Sequence, residues 1–430
     1  MKIGIVGCGY VFDLYMATMA RHPILEIAGV HDINPARVAA VTRHYGLKAY
    51  AGLDAMLADE EIGIVVVLTG PGAHFAVSKA ALEAGKHVYC EKPLTPTLEE
   101  ADALFAIAEA RGLHVSCAPS NVLGHSVQTL WKAVQDGTVG KPRLVYAEFD
   151  DNPVYLMRPD TWVSASGAPW PYVHEYETGC TYEHAGYHLS WMCAIFGPVR
   201  SLTAFSSVTV PDKTDLAMSP ADTPDFSVAC LEFDGGVVGR LTCSIAAPLD
   251  HRMRVIGNEG VLEVDSYRDD EAPVYLERFN SMSLRARNYR AIRNSSVLRR
   301  AMGIGGRRLP LTRVPPPGRD DLPAKDDGRW WHPATLKKRF RRWQTGLQDK
   351  SLGIAELAAA VGEGRAPYPS HTFTRHLTEI TIAIQSSGTR SSHSTLESTF
   401  KALSLNEKTV AYGQDYRRFV RSGAMSPAIR

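Results

Sequence analysis

The sequence predicts an α/β protein, with an N-terminal Rossmann-type doubly wound parallel sheet followed by an α+β domain built on a large, mostly antiparallel open sheet. Three observations carry this. The first 120 residues alternate short apolar runs with helix-periodic segments, the rhythm of right-handed crossovers in a parallel sheet. The first run ends in Gly7-Cys8-Gly9 and opens a helix. Beyond about residue 120 the alternation gives way to long β-rich runs joined by turn residues. At 430 residues the chain exceeds the size at which a single core keeps growing, so two domains are expected.

In order, the strand candidates of the first domain (1–120) are KIGIVG at 2–7, LEIAGVHD at 25–32, IGIVVVLTG at 62–70, KHVYCEKP at 86–93 and LHVSCAPS at 113–120. Between them lie helical stretches such as 73–85 and 97–112. The second domain is expected over 121–385. It opens with a helix at 126–140 that ends at glycine, and continues in β-runs at 144–150, 199–210, 225–234, 237–247, 251–258, 260–267 and 272–279. An aromatic-rich segment, 151–197, interrupts them. Helical patterns at 353–364 and 372–387 follow, and residues 386–430 read as a tail, either an arm or disordered.

Composition excludes several classes. Hydrophobic residues at 45% and charged residues at 22% fit a globular protein, not a disordered or fibrous one. A net charge of +1 argues against a surface built for nucleic acid or anionic lipid, and no run approaches a membrane span. The opening MKIGIVGCG does not read as a signal peptide. Seven cysteines without a C-x-x-C pair point to reduced thiols and a cytoplasmic protein. The near-neutral total conceals a basic insertion at about 278–342, with 18 Lys/Arg against four Asp. It reads as a solvated or subunit-contact segment, an anion-attracting lip, or a nucleic-acid contact.

Gly7 and Gly9 stand where a dinucleotide pyrophosphate needs bare backbone amides at a helix start. Phe12 occupies the position where a third small residue usually lets helix and strand approach. Asp32 ends the second strand, placed to accept hydrogen bonds from ribose hydroxyls and to repel a 2′-phosphate, so NAD is expected over NADP. The same aspartate also suits the turn of Asp32-Ile33-Asn34-Pro35. Lys92, in Ala84-Gly85-Lys86-His87-Val88-Tyr89-Cys90-Glu91-Lys92-Pro93, lies at the carboxyl end of a parallel strand, where ligands of such sheets bind. In Glu183-His184-Ala185-Gly186-Tyr187-His188 the two histidines fall on one helix face, with Glu183 about 100° from His184.

The G-x-G start, the acid after strand two, Thr69 ahead of His74, and A-G-K-H-V-x-x-E-K-P together resemble the Gfo/Idh/MocA family, the glucose-fructose oxidoreductase and inositol dehydrogenase group. The likeness covers the first domain fully and the second more loosely to about residue 385. It implies a dehydrogenase or reductase acting on CH–OH groups with NAD, in which Lys92 sits beside the nicotinamide and contacts the reacting hydroxyl. The family's third-strand loop carries its proline one place earlier than Pro71. Its second-domain motif, D-x-G-x-H, matches at Gly186 and His188, with His184 in the aspartate position.

On this reading Lys92, His188 and His184 are the catalytic candidates, His188 taking the hydroxyl proton. The cofactor would meet Gly7, Gly9, Tyr10, Val11, Phe12, Asp32, Arg37, Thr69, His74, Glu91 and Lys92. The substrate, a sugar or polyol, would meet Lys92, Asn121, Trp162, Tyr172, His184 and His188, with Trp170 and Tyr176 as further aromatic candidates. No metal is expected, since a third ligand beside the two histidines is not signalled. A redox-neutral lyase or glycosidase-type enzyme working through a transient keto-sugar, and a non-catalytic NAD-binding regulator, are the alternatives. The open second sheet and the resemblance imply a homodimer or homotetramer.

Overall fold

A computed structural model describes residues 1–320, 348–406 and 409. All five predicted runs of the first domain are strands: β1 (Lys2–Val6), β2 (Glu26–His31), β3 (Ile62–Val67), β4 (His87–Cys90) and β5 (Val115–Cys117). They form one parallel sheet in the order β2-β1-β3-β4-β5. Helices α1 (Tyr10–Met19), α2 (Pro35–Tyr45), α3 (Leu53–Leu57), α4 (Pro71–Glu83) and α5 (Leu98–Ala110) complete the crossovers. The strands read as unbroken apolar runs because both faces are covered. Ile3, Ile5, Ile64 and Val66 point to one core with Phe12 and Tyr15 of α1. Val65, Val67 and Val88 point to the other, with Leu82 of α4 and Leu104 of α5.

Among the described residues the second sheet has nine strands, ordered β13-β12-β11-β10-β6-β9-β8-β7-β14 and antiparallel except for the β6–β9 pair. The seven predicted runs are β6 (Pro142–Asp150), β7 (Val199–Ser207), β8 (Phe226–Phe233), β9 (Val238–Ser244), β10 (Met253–Gly257), β11 (Gly260–Val264) and β12 (Val274–Arg278). Two edge strands, β13 (Arg307–Arg308) and β14 (Ser392–Thr395), were not anticipated. One face of the sheet packs against α6 (His125–Gln135), α8 (Cys180–Phe196) and a C-terminal helix at His371–Gln385. Trp131, Phe149, Trp191 and Phe233 fill that interface. Before α8 lies the short α7 (Tyr172–Thr178).

The described part of the basic insertion forms three short helices, α9 (Ser281–Ala286), α10 (Arg290–Asn294) and α11 (Ser296–Ala301), together with β13; its remainder, 321–347, lies outside the described residues. The tail is not disordered throughout, because β14 pairs with β7 and Phe400 packs on Phe373 of the C-terminal helix.

Two connections tie the lobes together. After the insertion the chain returns as α12 (Leu352–Glu363), which places Ile354, Leu357 and Ala358 in the core of the first sheet beside Phe12 and Tyr15. A β-carbon on Gly353 would stand 2.6 Å from the Tyr89 ring, so only glycine allows this approach. Helix α12 is followed by α13 (His371–Gln385), whose Arg375 reaches Asp102 of α5 at 2.6 and 2.9 Å. A single cut near residue 120 therefore does not separate the two cores. Among the described residues no helix is long and apolar enough to cross a membrane. None of the seven cysteines is in a disulfide.

Candidate active site

The glycine turn is built as a dinucleotide cradle requires. Gly7 adopts φ +102°, and a β-carbon there would sit 2.5 Å from the Leu68 carbonyl. Gly9 precedes α1, and the nearest atom to a β-carbon placed there is a guanidinium nitrogen of Arg37, 3.9 Å away. Asp32 accepts from the Cys8 amide at 2.7 Å through one carboxylate oxygen and from the Asn34 amide at 2.7 Å through the other. It thus holds the turn of its own loop, as the turn reading expects, and also brings a carboxylate to the glycine turn. Tyr10 and Val11 are half-buried at the start of α1. Phe12 departs from expectation, since its side chain is wholly buried against Tyr45 and it offers no surface to a ligand.

Thr69 and His74 are linked. His74 is 1% exposed, with Nε2 3.0 Å from the Thr69 carbonyl and Nδ1 2.7 Å from the Pro93 carbonyl. Burial pushes its pKa down. Its position is that of a clamp between the loop after β3 and the loop carrying Lys92, not that of a cofactor ligand. Glu91 serves beneath the same loop. It accepts from Tyr15 at 3.0 Å, from Lys350 at 3.2 Å and from the Lys92 amide at 2.9 Å. Burial opposes its charge, but Lys350 and Lys92 outweigh burial and hold the carboxyl down at about 2. Lys350, next to a stretch without motif, was not foreseen; it also donates to the Tyr187 hydroxyl at 3.2 Å.

Lys92 precedes a cis peptide at Pro93, and its ammonium is ion-paired to Glu183 of α8. Burial disfavours the ammonium, yet Glu183 in contact, with Tyr187 and Glu175 beyond, keeps its pKa well above the ordinary lysine value. Here the sequence reading needs correction, because it set Glu183 aside as pointing away from His184. Glu183 and His184 are both buried, yet they line one cavity despite the angle between them. Glu175 of α7 completes the cluster. Burial and the Glu183 carboxylate raise its pKa to about 8, and the two carboxyl groups share a hydrogen bond.

His188 does not reach this cluster. It is fully buried, its Nδ1 accepts from the Trp191 indole N–H at 2.9 Å, and its Nε2 lies 2.8 Å from the Glu148 carbonyl. Both nitrogens are committed within the core, and burial lowers the pKa to about 3. One helical turn separates it from His184, whose ring stacks face to face on Phe149 at 4.1 Å and lines the cavity. Burial, aided by Lys92 and Arg268, lowers His184 to about 3 as well. Asn121 is likewise removed from substrate contact; it is 2% exposed, donates to the Tyr187 carbonyl at 2.7 Å and accepts from Ser190 at 2.9 Å. Arg268, unforeseen, lies 2.9 Å from Asp151, itself 3.2 Å from His251.

The aromatic segment does approach the cleft. Trp162 and Trp170 stack at 4.7 Å across a small hairpin, and Trp170 lines the cavity with Tyr176. Tyr172 packs edge-on against Tyr176 at 5.8 Å. The hairpin tip is fastened to the first lobe, since the Ser166 amide and hydroxyl donate to Asp13 of α1 at 3.1 and 2.7 Å.

A Rossmann cradle, a strand-end lysine and an acidic partner facing it from a second sheet-and-helix lobe define the class of dinucleotide-dependent oxidoreductases. The oxidoreductase-family model with an NAD-binding Rossmann fold matches residues 1–118, and the GFO/IDH/MocA C-terminal-domain model matches 127–263. The chain belongs to the Gfo/Idh/MocA oxidoreductase family. It is 26% identical over 266 residues to the trans-1,2-dihydrobenzene-1,2-diol dehydrogenase of Bos taurus, covering 61% of this chain and 72% of that one. It is 34% identical over 148 residues to the UDP-N-acetylglucosamine 3-dehydrogenase of Acidithiobacillus ferrooxidans, covering 34% and 45%. Among solved structures, a levoglucosan dehydrogenase in complex with NADH and levoglucosan superposes with a TM-score of 0.66 at 19% identity, covering 92% of this chain and 99% of that chain.

Proposed function

We propose that this enzyme oxidises a secondary alcohol on a sugar or polyol, or reduces the corresponding ketone, with NAD as its dinucleotide. The observation that carries the reading is the Lys92–Glu183 pair at the carboxyl end of β4. An alcohol entering between these groups accepts from the Lys92 ammonium and donates to the Glu183 carboxylate. Lys92 then stabilises developing alkoxide charge, and Glu183 takes the hydroxyl proton, with the Glu175 carboxyl hydrogen-bonded behind it. When bound, the nicotinamide supplies the acceptor for the C–H bond and its electron pair. Clamped by His74 and Glu91, the Lys92 loop keeps its orientation through the exchange. The dehydrogenase and sugar-linked names of the relatives support the substrate class, and Asp32 beside the glycine turn supports NAD over NADP.

Turnover of a sugar and polyol panel tests this by nicotinamide absorbance. Lys92→Met is expected to lower kcat by about 10²–10³-fold and Glu183→Gln by about 10-fold or more, with NADH binding retained in both. Unchanged turnover in both variants would refute the assignment. NADH formed in proportion to product separates net oxidation from a redox-neutral reaction. A kcat/KM ratio favouring NADP would overturn the cofactor choice. We also propose assembly into a homodimer or homotetramer through the open face of the second sheet, where the Arg240 guanidinium lies 4.5 Å from the Tyr146 ring centre; native mass spectrometry reads the subunit number.

A further inference from the structure

A cavity lies beside the Lys92–Glu183 pair, lined by Trp170, Glu175, Glu183, His184 and Asp151. His184 is 9% exposed, and its Nδ1 has no partner among the described residues. A buried imidazole nitrogen without a partner marks a place where a ligand hydroxyl or a water completes the hydrogen bonding. Trp170, half-buried and backed by Trp162, presents a flat apolar wall.

The charges around this cavity are already matched. Glu183 holds Lys92, while Asp151 has Arg268 at 2.9 Å and His251 at 3.2 Å. Buried Asp225, also in the lining, has Lys213 at 3.1 Å. Among the described residues Glu175 forms no ion pair of its own, and burial together with the neighbouring Glu183 carboxylate favours its neutral form.

We infer that the cavity seats the reacting ring and selects an uncharged, hydroxyl-rich ring against one bearing a carboxylate or phosphate. This rests on the dehydrogenase reading only in assigning the Lys92 side to the reacting oxygen. An anionic substituent would face four carboxyl groups, Asp151, Glu175, Glu183 and Asp225, and could gain a cation only by taking Lys92, Arg268 or Lys213 from its present partner. Hydroxyl groups, which donate and accept, match His184 and Glu175 and can bridge Lys92 and Glu183 without leaving either charge unpartnered, and the ring's C–H face suits Trp170. The basic insertion, whatever it meets elsewhere, contributes no side chain to this lining among the described residues.

The test is isothermal titration of the NADH-loaded full-length protein, in which oxidation cannot proceed, with matched pairs: methyl glucoside and methyl glucuronoside, glucose and glucose 6-phosphate, inositol and inositol monophosphate. At least one neutral member is expected to bind, with its charged twin weaker by roughly 100-fold. Trp170→Ala, shown folded by circular dichroism, is expected to weaken the neutral ligand about 10-fold. A charged twin that binds equally or better, no binding by any neutral member, or neutral binding untouched in the folded Trp170→Ala variant would overturn the inference. A neutral ring that binds but is never oxidised when NAD replaces NADH leaves this inference standing and removes the dehydrogenase reading; oxidation confined to anionic rings does the reverse.

Discussion

A buried imidazole with both nitrogens hydrogen-bonded exchanges its proton only by breaking a core contact, and His188 is held this way by Trp191 and Glu148. His188→Ala should therefore cost about 3 kcal/mol of stability and leave kcat in the remaining folded enzyme within about threefold; denaturant midpoints and turnover on the same sample separate the two effects. Loss of kcat by orders of magnitude at full stability would return His188 to the chemistry. Glu175 gives a second residue-scale prediction. Its folded-state pKa, about 8, exceeds its ordinary 4.5, so the native state holds an extra proton between these values. That contribution is complete below about 4.5 and is lost as pH rises through 8. Relative to Glu175→Gln, the natural protein should lose stability between pH 5 and 8; a pH-independent difference in urea midpoint would contradict this. The strand-end positions of Lys92 and Asp32 were legible in the sequence. His188, Asn121 and Phe12 were misread because motif spacing reports which residue types occur, not which buried neighbours claim them. Glu183 was missed because one helix direction was taken to define the cleft, whereas its arc spans two side-chain rows.

At the scale of elements, the hairpin around Ser164–Ala168 joins the aromatic segment to α1. Asp13 accepts from Ser166 twice and from Tyr45 at 2.5 Å. Burial opposes its charge, yet Ser164, Tyr45 and Ser166 together hold the carboxyl below the usual range. Ser166→Ala removes one charge-assisted bond, worth about 1.5 kcal/mol. It should speed amide exchange across 162–170 and raise KM for the alcohol while exchange in β1, β3 and β4 stays unchanged; equal protection of the hairpin in both proteins would show that the bond holds nothing. Every predicted strand was legible, because the apolar runs of β1–β5 and the alternation in β7–β12 each follow from local burial. The clasp was not, since Ser166 and Asp13 lie 153 positions apart and neither sits in a recognisable pattern.

At the scale of the molecule, the first sheet depends on residues from the far end of the chain. Ile354 and Leu357 are completely buried against it, and together they contribute roughly 3–6 kcal/mol of apolar burial. Leu357→Ala should cost about 2–5 kcal/mol and reduce hydrogen-exchange protection in β1, β3 and β4 before it affects β8 and β9. Loss confined to the second sheet would contradict the packing. The helix itself was legible from its alanine- and leucine-rich pattern, but its allegiance was not: an apolar stripe declares that it will be buried and leaves open against which sheet.

The late arrival of α12 has a consequence for biosynthesis. When the amino-terminal sheet has left the ribosome, the helix that covers Ile3, Ile5 and Tyr15 has yet to be translated. At ordinary elongation rates the nascent sheet waits roughly 10–50 s with one apolar side incomplete, a substrate for holding chaperones. The two lobes then mature as a single event once α12 has emerged, and ribosome-stalled chains ending before residue 350 should remain protease-sensitive throughout their first 120 residues.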